Sequence, residues 1–285
     1  MYEKEITRRH RTAFVIAVDR SQSMCEDIRF GERTTTKAAA VCDVVNNIIS
    51  ELIVRSRRDD GVRDYYDIAV IGYSDGRVYP LLDPPRDFVS VSDLCRLSPR
   101  VKSLACELVL PDGSRTVRTS EVKEWIEPCA CGDTPMYEAF NYIRDITDEW
   151  CRRPQNTDSF PPVIFNITDG EASDCDSEEL VHAARQIKTL GTADGCALLI
   201  NIHISAVHDS EAAIFPTDSE IADDRRYMRL LADCSSIMPA QFDPMIRELR
   251  HDSATGPFIA MSYNASITEL ISMLDIGSRS ITALI

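Results

Sequence analysis

The sequence predicts an α/β protein whose central, mainly parallel sheet is doubly wound by helices on both faces. Three observations lead there. Apolar runs of strand length alternate with amphipathic runs of helix length over most of the 285 residues. Two of the apolar runs, residues 13–19 and 164–169, stop abruptly at a carboxylate, and open α/β sheets bind ligands at the carboxyl ends of their strands. No internal repeat, low-complexity stretch or linker divides the chain, so a single domain over residues 1–285 is expected.

The elements follow in order. Ala13-Phe-Val-Ile-Ala-Val18 is short, apolar and rich in β-branched residues, the pattern of a buried strand. Residues 34–56 form a long helical pattern with Ala38, Val41, Val44, Val45, Ile48, Ile49 and Leu52 on one face. A strand at 66–73 and a short one at 77–82 come next, stopped by Pro84-Pro85. Residues 86–131 break the alternation and are too long for a bare connection in a compact domain. Within them, 101–110 and 115–121 flank Pro111-Asp112-Gly113-Ser114, and Asp-Gly between β-prone runs signals a hairpin. The segment therefore reads as an insertion, hairpin included, that delivers Thr134 and stands outside the parallel sheet. Helix at 135–151, strand at 162–168, helix at 177–190, strand at 196–206, helix at 223–235, strand at 257–262 and helix at 265–276 complete the chain.

Composition narrows the function. Acidic residues outnumber basic ones, 46 to 31, for a net charge of -15. That opposes a nucleic-acid surface and favours solubility and cationic partners. The ten cysteines are scattered with no CxxC pair, which argues against a zinc ribbon or a thioredoxin-type motif. Cys129-Ala-Cys131 is the one close pair, and its role is left open. Cys42 and Cys196 lie in apolar contexts and read as small core residues. Free thiols in such numbers fit a reducing compartment. The amino terminus is charged, a run of only six apolar residues follows it before Asp19, and no later run approaches a membrane span. A cytoplasmic protein without a membrane segment is the expectation.

The chemistry concentrates at Asp19-Arg-Ser21-Gln-Ser23. A carboxylate and two hydroxyls at alternate positions are hard oxygen donors, suited to Mg²⁺ or Mn²⁺ and poorly to zinc. The simpler alternative is an Asx or Ser turn that caps the next helix. Two further segments join the set: Gly132-Asp133-Thr134-Pro135-Met136 ahead of a helical pattern, and Ile164-Phe-Asn-Ile-Thr168-Asp169-Gly170-Glu171. With these residues the chain resembles a von Willebrand factor A (VWA) domain carrying an intact metal-ion-dependent adhesion site. The resemblance covers essentially the whole chain and assigns the metal to Asp19, Ser21, Ser23, Thr134 and Asp169. It implies contact through the hydroxyls of Ser21, Ser23 and Thr134, with Asp19 and Asp169 acting through water or as acceptors behind them. Neutral hydroxyls leave the ion short of negative charge, so an acidic side chain from a partner protein can complete the coordination.

Asp133 departs from that pattern, which has glycine there. It is either an acid that tunes the metal or a solvated loop residue. Glu171 is a second candidate for tuning. Glu26, Asp27 and Asp174 are expected on the same face, Asp174 foremost as a cap of the following helix. Catalytic alternatives find little support: no GxSxG, Walker A loop or GxGxxG occurs. His203 sits in an apolar alternation and reads as a hydrogen-bonded core residue, and His208-Asp209 as a surface loop.

The carboxyl third, with Cys234-Ser-Ser236, Gly256-Pro-Phe-Ile-Ala-Met-Ser-Tyr-Asn264 and Leu274-Asp-Ile-Gly277, is similar to bacterial cytoplasmic VWA proteins of the tellurium-resistance type. That similarity implies a stress-response or signalling set with a protein kinase and a PP2C-type phosphatase. The reading reached is a non-enzymatic, metal-dependent protein-interaction module. The alternative is a non-catalytic VWA subunit of an AAA⁺ ATPase machine of the chelatase kind. A metal-dependent phosphohydrolase, the third option, ordinarily uses more direct carboxylate ligands than this set offers.

Overall fold

The computed structural model describes residues 2–30, 33–97, 99–109, 115–205, 212–221 and 225–278. Its centre is an 8-stranded sheet. The strands are β1 (Thr12–Asp19), β2 (Tyr66–Ser74), β3 (Arg77–Pro80), β4 (Val89–Ser90), β5 (Val163–Thr168), β6 (Leu198–Ile204), β7 (Ala213–Ile214) and β8 (Met261–Ala265). They lie in the order β7-β8-β6-β5-β1-β2-β3, with β4 beside β3 on the outer edge of β2. The five strands from β8 to β2 are parallel. Only the short edge strands β3, β4 and β7 are antiparallel. The expected α/β class is the observed one.

Burial explains the strand sequences. Every residue of β1, β2, β5 and β6 is buried, because helices cover both faces and leave no side for polar alternation. Phe14, Ile16 and Val18 point to one face, and α1 (Lys37–Arg55) packs there through Val41, Val45, Ile49 and Leu52, joined by Leu270 and Leu274 of α7 (Ile267–Ser278). Val15 and Ala17 point to the other, against Met136, Phe140 and Ile143 of α3 (Met136–Arg152). Leu180 and Ala184 of α4 (Ser177–Thr189) and Cys234, the last residue of α5 (Arg226–Cys234), extend that second layer.

The winding order positions the site. From β1 the chain passes through α1 to β2 on one side; it later returns through α3 to β5 on the other. Strand order therefore reverses beside β1, and the crevice at the carboxyl ends of β1 and β5 is the topological switch point.

Several boundaries differ from expectation for local reasons. Residues 34–36 do not start α1. They lie in Arg33–Thr36, which pairs antiparallel with Asp27–Phe30, as three consecutive β-branched threonines favour. Thr36 then caps α1, its hydroxyl accepting from Ala39 N at 3.2 Å. The last strand is Met261–Ala265, displaced from 257–262. Pro257 has no N–H for a ladder, and Phe258 and Ala260 bond instead to the loop at Ser236 and Met238. Strand 196–206 is shortened to Leu198–Ile204, and Cys196 is exposed rather than in the core. It ends a small ribbon of Gly191–Thr192 against Gly195–Cys196. Two short helices, α2 (Val91–Arg96) and α6 (Asp243–Arg250), were not anticipated.

The segment 86–131 contains the expected hairpin strands. Arg100–Val109 pairs antiparallel with Arg115–Glu124, and the two form a sheet of their own. The turn with Asp112-Gly113 lies outside the described residues. At the root of the ribbon, buried Asn46 of α1 accepts from Trp125 N (2.8 Å) and Ile126 N (3.0 Å) and donates to Ile126 O (3.1 Å).

Candidate metal centre

Three loops meet at the switch point. The first follows β1, where Ser21 N donates to Asp19 Oδ1 at 2.8 Å and closes an Asx turn. A 3₁₀ turn over Gln22–Cys25 follows. The second is 129–134, fastened by Cys131 N to Arg20 O (2.8 Å) and Gln22 N to Gly132 O (2.9 Å). The third follows β5 and is stitched to the second by Ser173 N to Thr134 O (3.0 Å) and Thr134 N to Ser173 Oγ (3.0 Å).

Gly132 makes the second loop possible. Its φ is +68°, and a Cβ there would stand 2.8 Å from the Cα of Asp75. No other residue tolerates both constraints. Asp75 belongs to the tight turn between β2 and β3, where Asp75 and Gly76 both have positive φ (51° and 64°), as a two-residue I′ hairpin requires. Asp133 is committed to that turn: its Oδ1 accepts from Gly76 N at 2.8 Å. It thus fixes the loop against the sheet edge.

The two strand-end acids carry different partners. Asp19 is fully buried. Its second oxygen accepts from Thr168 Oγ1 at 2.7 Å, so both oxygens are engaged from within the fold. Burial pushes its carboxyl up to about 6, against the lowering effect of the bonds from Ser21 and Thr168. Asp169 Oδ1 accepts from Ser23 Oγ at 2.6 Å, and Ser23 Oγ lies 3.1 Å from Ser21 Oγ. Asp169 Oδ2 accepts from Lys37 Nζ at 2.8 Å, and the same ammonium donates to Glu26 Oε2 at 2.6 Å. The Lys37 side chain is 5 % exposed. Burial works to lower its pKa, but the bonds to Asp169 and Glu26 win and hold it above the usual lysine value.

Asp19, Ser21, Ser23 and Asp169 are therefore linked in one hydrogen-bonded chain, through the Ser21 amide at the Asp19 end and through hydroxyls at the Asp169 end, and Thr134, 8 % exposed, is tied to the loop that carries Asp169. Among the described residues no group of three or more His, Cys, Asp or Glu could hold a metal. Any cation here would rest on hydroxyls with carboxylates behind them. The all-oxygen set fits a hard divalent ion such as Mg²⁺ or Mn²⁺.

The residues around this set have distinct places. Glu171 is exposed on the third loop. Asp174 does not cap the following helix. It reaches across to α3, accepting from Tyr137 N (3.1 Å) and Glu138 N (3.0 Å), while Asp176 caps α4 in a capping box with Glu179. Asp27 belongs to the ribbon strand Asp27–Phe30. His203 is buried, as expected: Nδ1 accepts from Asn264 N at 3.2 Å, and the ring stacks on Tyr263 at 4.6 Å. Burial pushes it down to about 4. His208-Asp209 lies outside the described residues. Cys129 and Cys131 have sulfurs 3.7 Å apart.

Two features escape a reading by motif. Lys37 is one; as the residue after three threonines it looks like an ordinary helix start. The other is a buried polar chain beneath the site. Tyr73 OH donates to Asn166 Oδ1 (2.8 Å), Asn166 Nδ2 to Asn201 Oδ1 (3.0 Å), and Asn201 Nδ2 to Ser235 Oγ (3.0 Å). An asparagine at the centre of two apolar strands was its signal in the sequence. Such a network is tolerable in a core because each member is paired.

No protein-family model and no curated protein matches the chain. Solved structures similar to it include von Willebrand factor A domains. One is a von Willebrand factor type A protein from Catenulispora acidiphila, at TM-score 0.46 and 16% identity over 84% of this chain and 42% of that one. Another is the vWF domain of the type V pili tip protein Mfa5 from Porphyromonas gingivalis, at TM-score 0.32 and 14% identity over 60% of this chain and 48% of that one. The chain thus spans less than half the length of either neighbour. No helix among the described residues is long and apolar enough to cross a membrane.

Proposed function

We propose that this chain is a non-enzymatic, divalent-metal-dependent protein-interaction module. Ser21, Ser23 and Thr134 would hold Mg²⁺ or Mn²⁺ through their hydroxyls, with Asp19 and Asp169 behind them, and a partner's Asp or Glu would complete the coordination. One observation carries the reading: at the switch point Asp19 accepts from the Ser21 amide, and the neighbouring Ser21 and Ser23 hydroxyls lead on to Asp169, which accepts from Ser23. The bound ion supplies a positive centre that a carboxylate can join directly. The chain's own part is to hold the three loops in register. We place the module in the bacterial cytoplasm, in a signalling or stress-response set with a kinase and a PP2C-type phosphatase. That placement is supported by the resemblance of its carboxyl third alone.

Mg²⁺ should raise the melting temperature of the wild type by linkage and leave that of Asp19→Ala unchanged. An equal rise in both would put the ion elsewhere. Thr134→Ala should weaken capture of an acidic partner more than it weakens metal binding. Capture indifferent to both chelator and Thr134→Ala would remove the site from the contact.

A further inference from the structure

Lys37 is a cation at a place where its own helix does not want one. It is the first residue of α1, and the partial positive charge of a helix amino terminus disfavours a lysine there. Capping is already supplied by Thr36. The side chain is 5 % exposed, and its Nζ stands 2.8 Å from Asp169 and 2.6 Å from Glu26. What gains from this arrangement is the oxygen cluster.

We propose that Lys37 is a built-in counter-cation of the metal centre, which lowers the centre's affinity for a bare divalent ion and makes retention of the ion depend on an incoming carboxylate. The inference rests on the proposed metal centre. Asp19 and Asp169 together balance a divalent ion. Lys37 adds a buried positive charge that Glu26 offsets only from a side chain 58 % exposed to screening water, so within the buried set one positive charge is in excess. A carboxylate from outside restores the balance. Glu26, whose side chain is 58 % exposed, is the second acceptor for the ammonium. It keeps Lys37 in place when the ion draws on Asp169. A module built this way stays weakly loaded alone and holds its ion firmly only when engaged.

The test is a Mn²⁺ titration of the full chain, followed by electron paramagnetic resonance, with and without saturating acetate at constant ionic strength. Lys37→Met should tighten Mn²⁺ binding at least tenfold. Acetate should tighten binding to the wild type and have little effect on the variant. Lys37→Gln, which replaces the ammonium with a neutral amide donor, should behave likewise and serves if Lys37→Met does not fold. Mn²⁺ binding that is unchanged or weaker in the variants, yet lost in Asp19→Ala, overturns the role of Lys37 and leaves the metal centre standing. Absence of Mn²⁺ binding in wild type and variants alike overturns both.

Discussion

Asp19 and Asp169 end neighbouring parallel strands in nearly the same way, yet they sit in opposite electrostatic settings. Asp19 has only neutral donors, the Ser21 amide and the Thr168 hydroxyl, and burial makes its charge costly. Asp169 has a hydroxyl and a buried ammonium. The fold therefore bears the charge of Asp19 as a burden, whereas it sets Asp169 against a buried ammonium. A strand-end acid is only half defined by its own motif; the other half comes from whatever the winding brings beside it.

The largest expected effect breaks this contrast from the Asp169 side. Asp169→Asn strands Lys37 with a single, largely exposed acceptor, and breaking a buried ion pair costs about 3–5 kcal/mol. Asp19→Asn removes a buried charge that has no ionic partner, so its stability at neutral pH should equal or exceed that of the wild type. Urea denaturation in the absence of metal separates the two. Equal losses in both variants would erase the distinction.

The next effect is in pH. Asp19 has a folded pKa of about 6 against 3.8, so the folded state binds its proton first and gains stability as pH falls through 6 towards 4. His203 goes the other way. Its folded value of about 4 against 6.5 means that stability is present above 6.5 and lost as pH falls towards 4. Each shift corresponds to about 3 kcal/mol, and the two oppose one another in the same window. Metal-free wild type should therefore vary little between pH 6.5 and 4 on their account. Asp19→Asn should expose the histidine limb and lose stability on acidification, and His203→Leu should show the reverse slope. Denaturation midpoints at several pH values would show parallel profiles if the two groups were not opposed.

A smaller effect concerns how each loop is fastened. The loop after Asp19 combines its own turn with backbone bonds to 129–134, whereas the loop after Asp169 is stitched to Thr134 and the start of α3 through Ser173 and Asp174. Asp174→Ala should cost about 1 kcal/mol through the lost cap of α3. It should also loosen Thr134, visible as faster amide exchange at Thr134 and Ser173. Smallest of all, Asp133→Gly should cost about 0.5–1.5 kcal/mol for one exposed hydrogen bond to Gly76 N and leave Mn²⁺ affinity unchanged. A large gain in affinity would mean that Asp133 reaches the ion after all.

The same contrast explains why part of the site was legible in the sequence. Asp19, Ser21 and Ser23 are close in the chain, and the turn they form is local, so their spacing reports their geometry. The buried strands were legible because burial on both faces writes continuous apolar runs. Lys37 was not, since its partners Glu26 and Asp169 are 11 and 132 residues away and no periodicity encodes such a meeting. Asp174 misled for a related reason. Its position just ahead of α4 looks like a cap, but its carboxylate is taken by the free amides of α3. Thr34-Thr35-Thr36 could be read as helix by continuity, although β-branching favoured the short ribbon.

Asn46 gives the ribbon at 100–124 a mechanical meaning. Three hydrogen bonds from one buried side chain pin the root of the ribbon to the middle of α1. The same helix begins at Lys37, nine residues earlier, or about 14 Å along a rod rising 1.5 Å per residue. The root of the ribbon and the ammonium that faces Asp169 thus stand on one and the same helix.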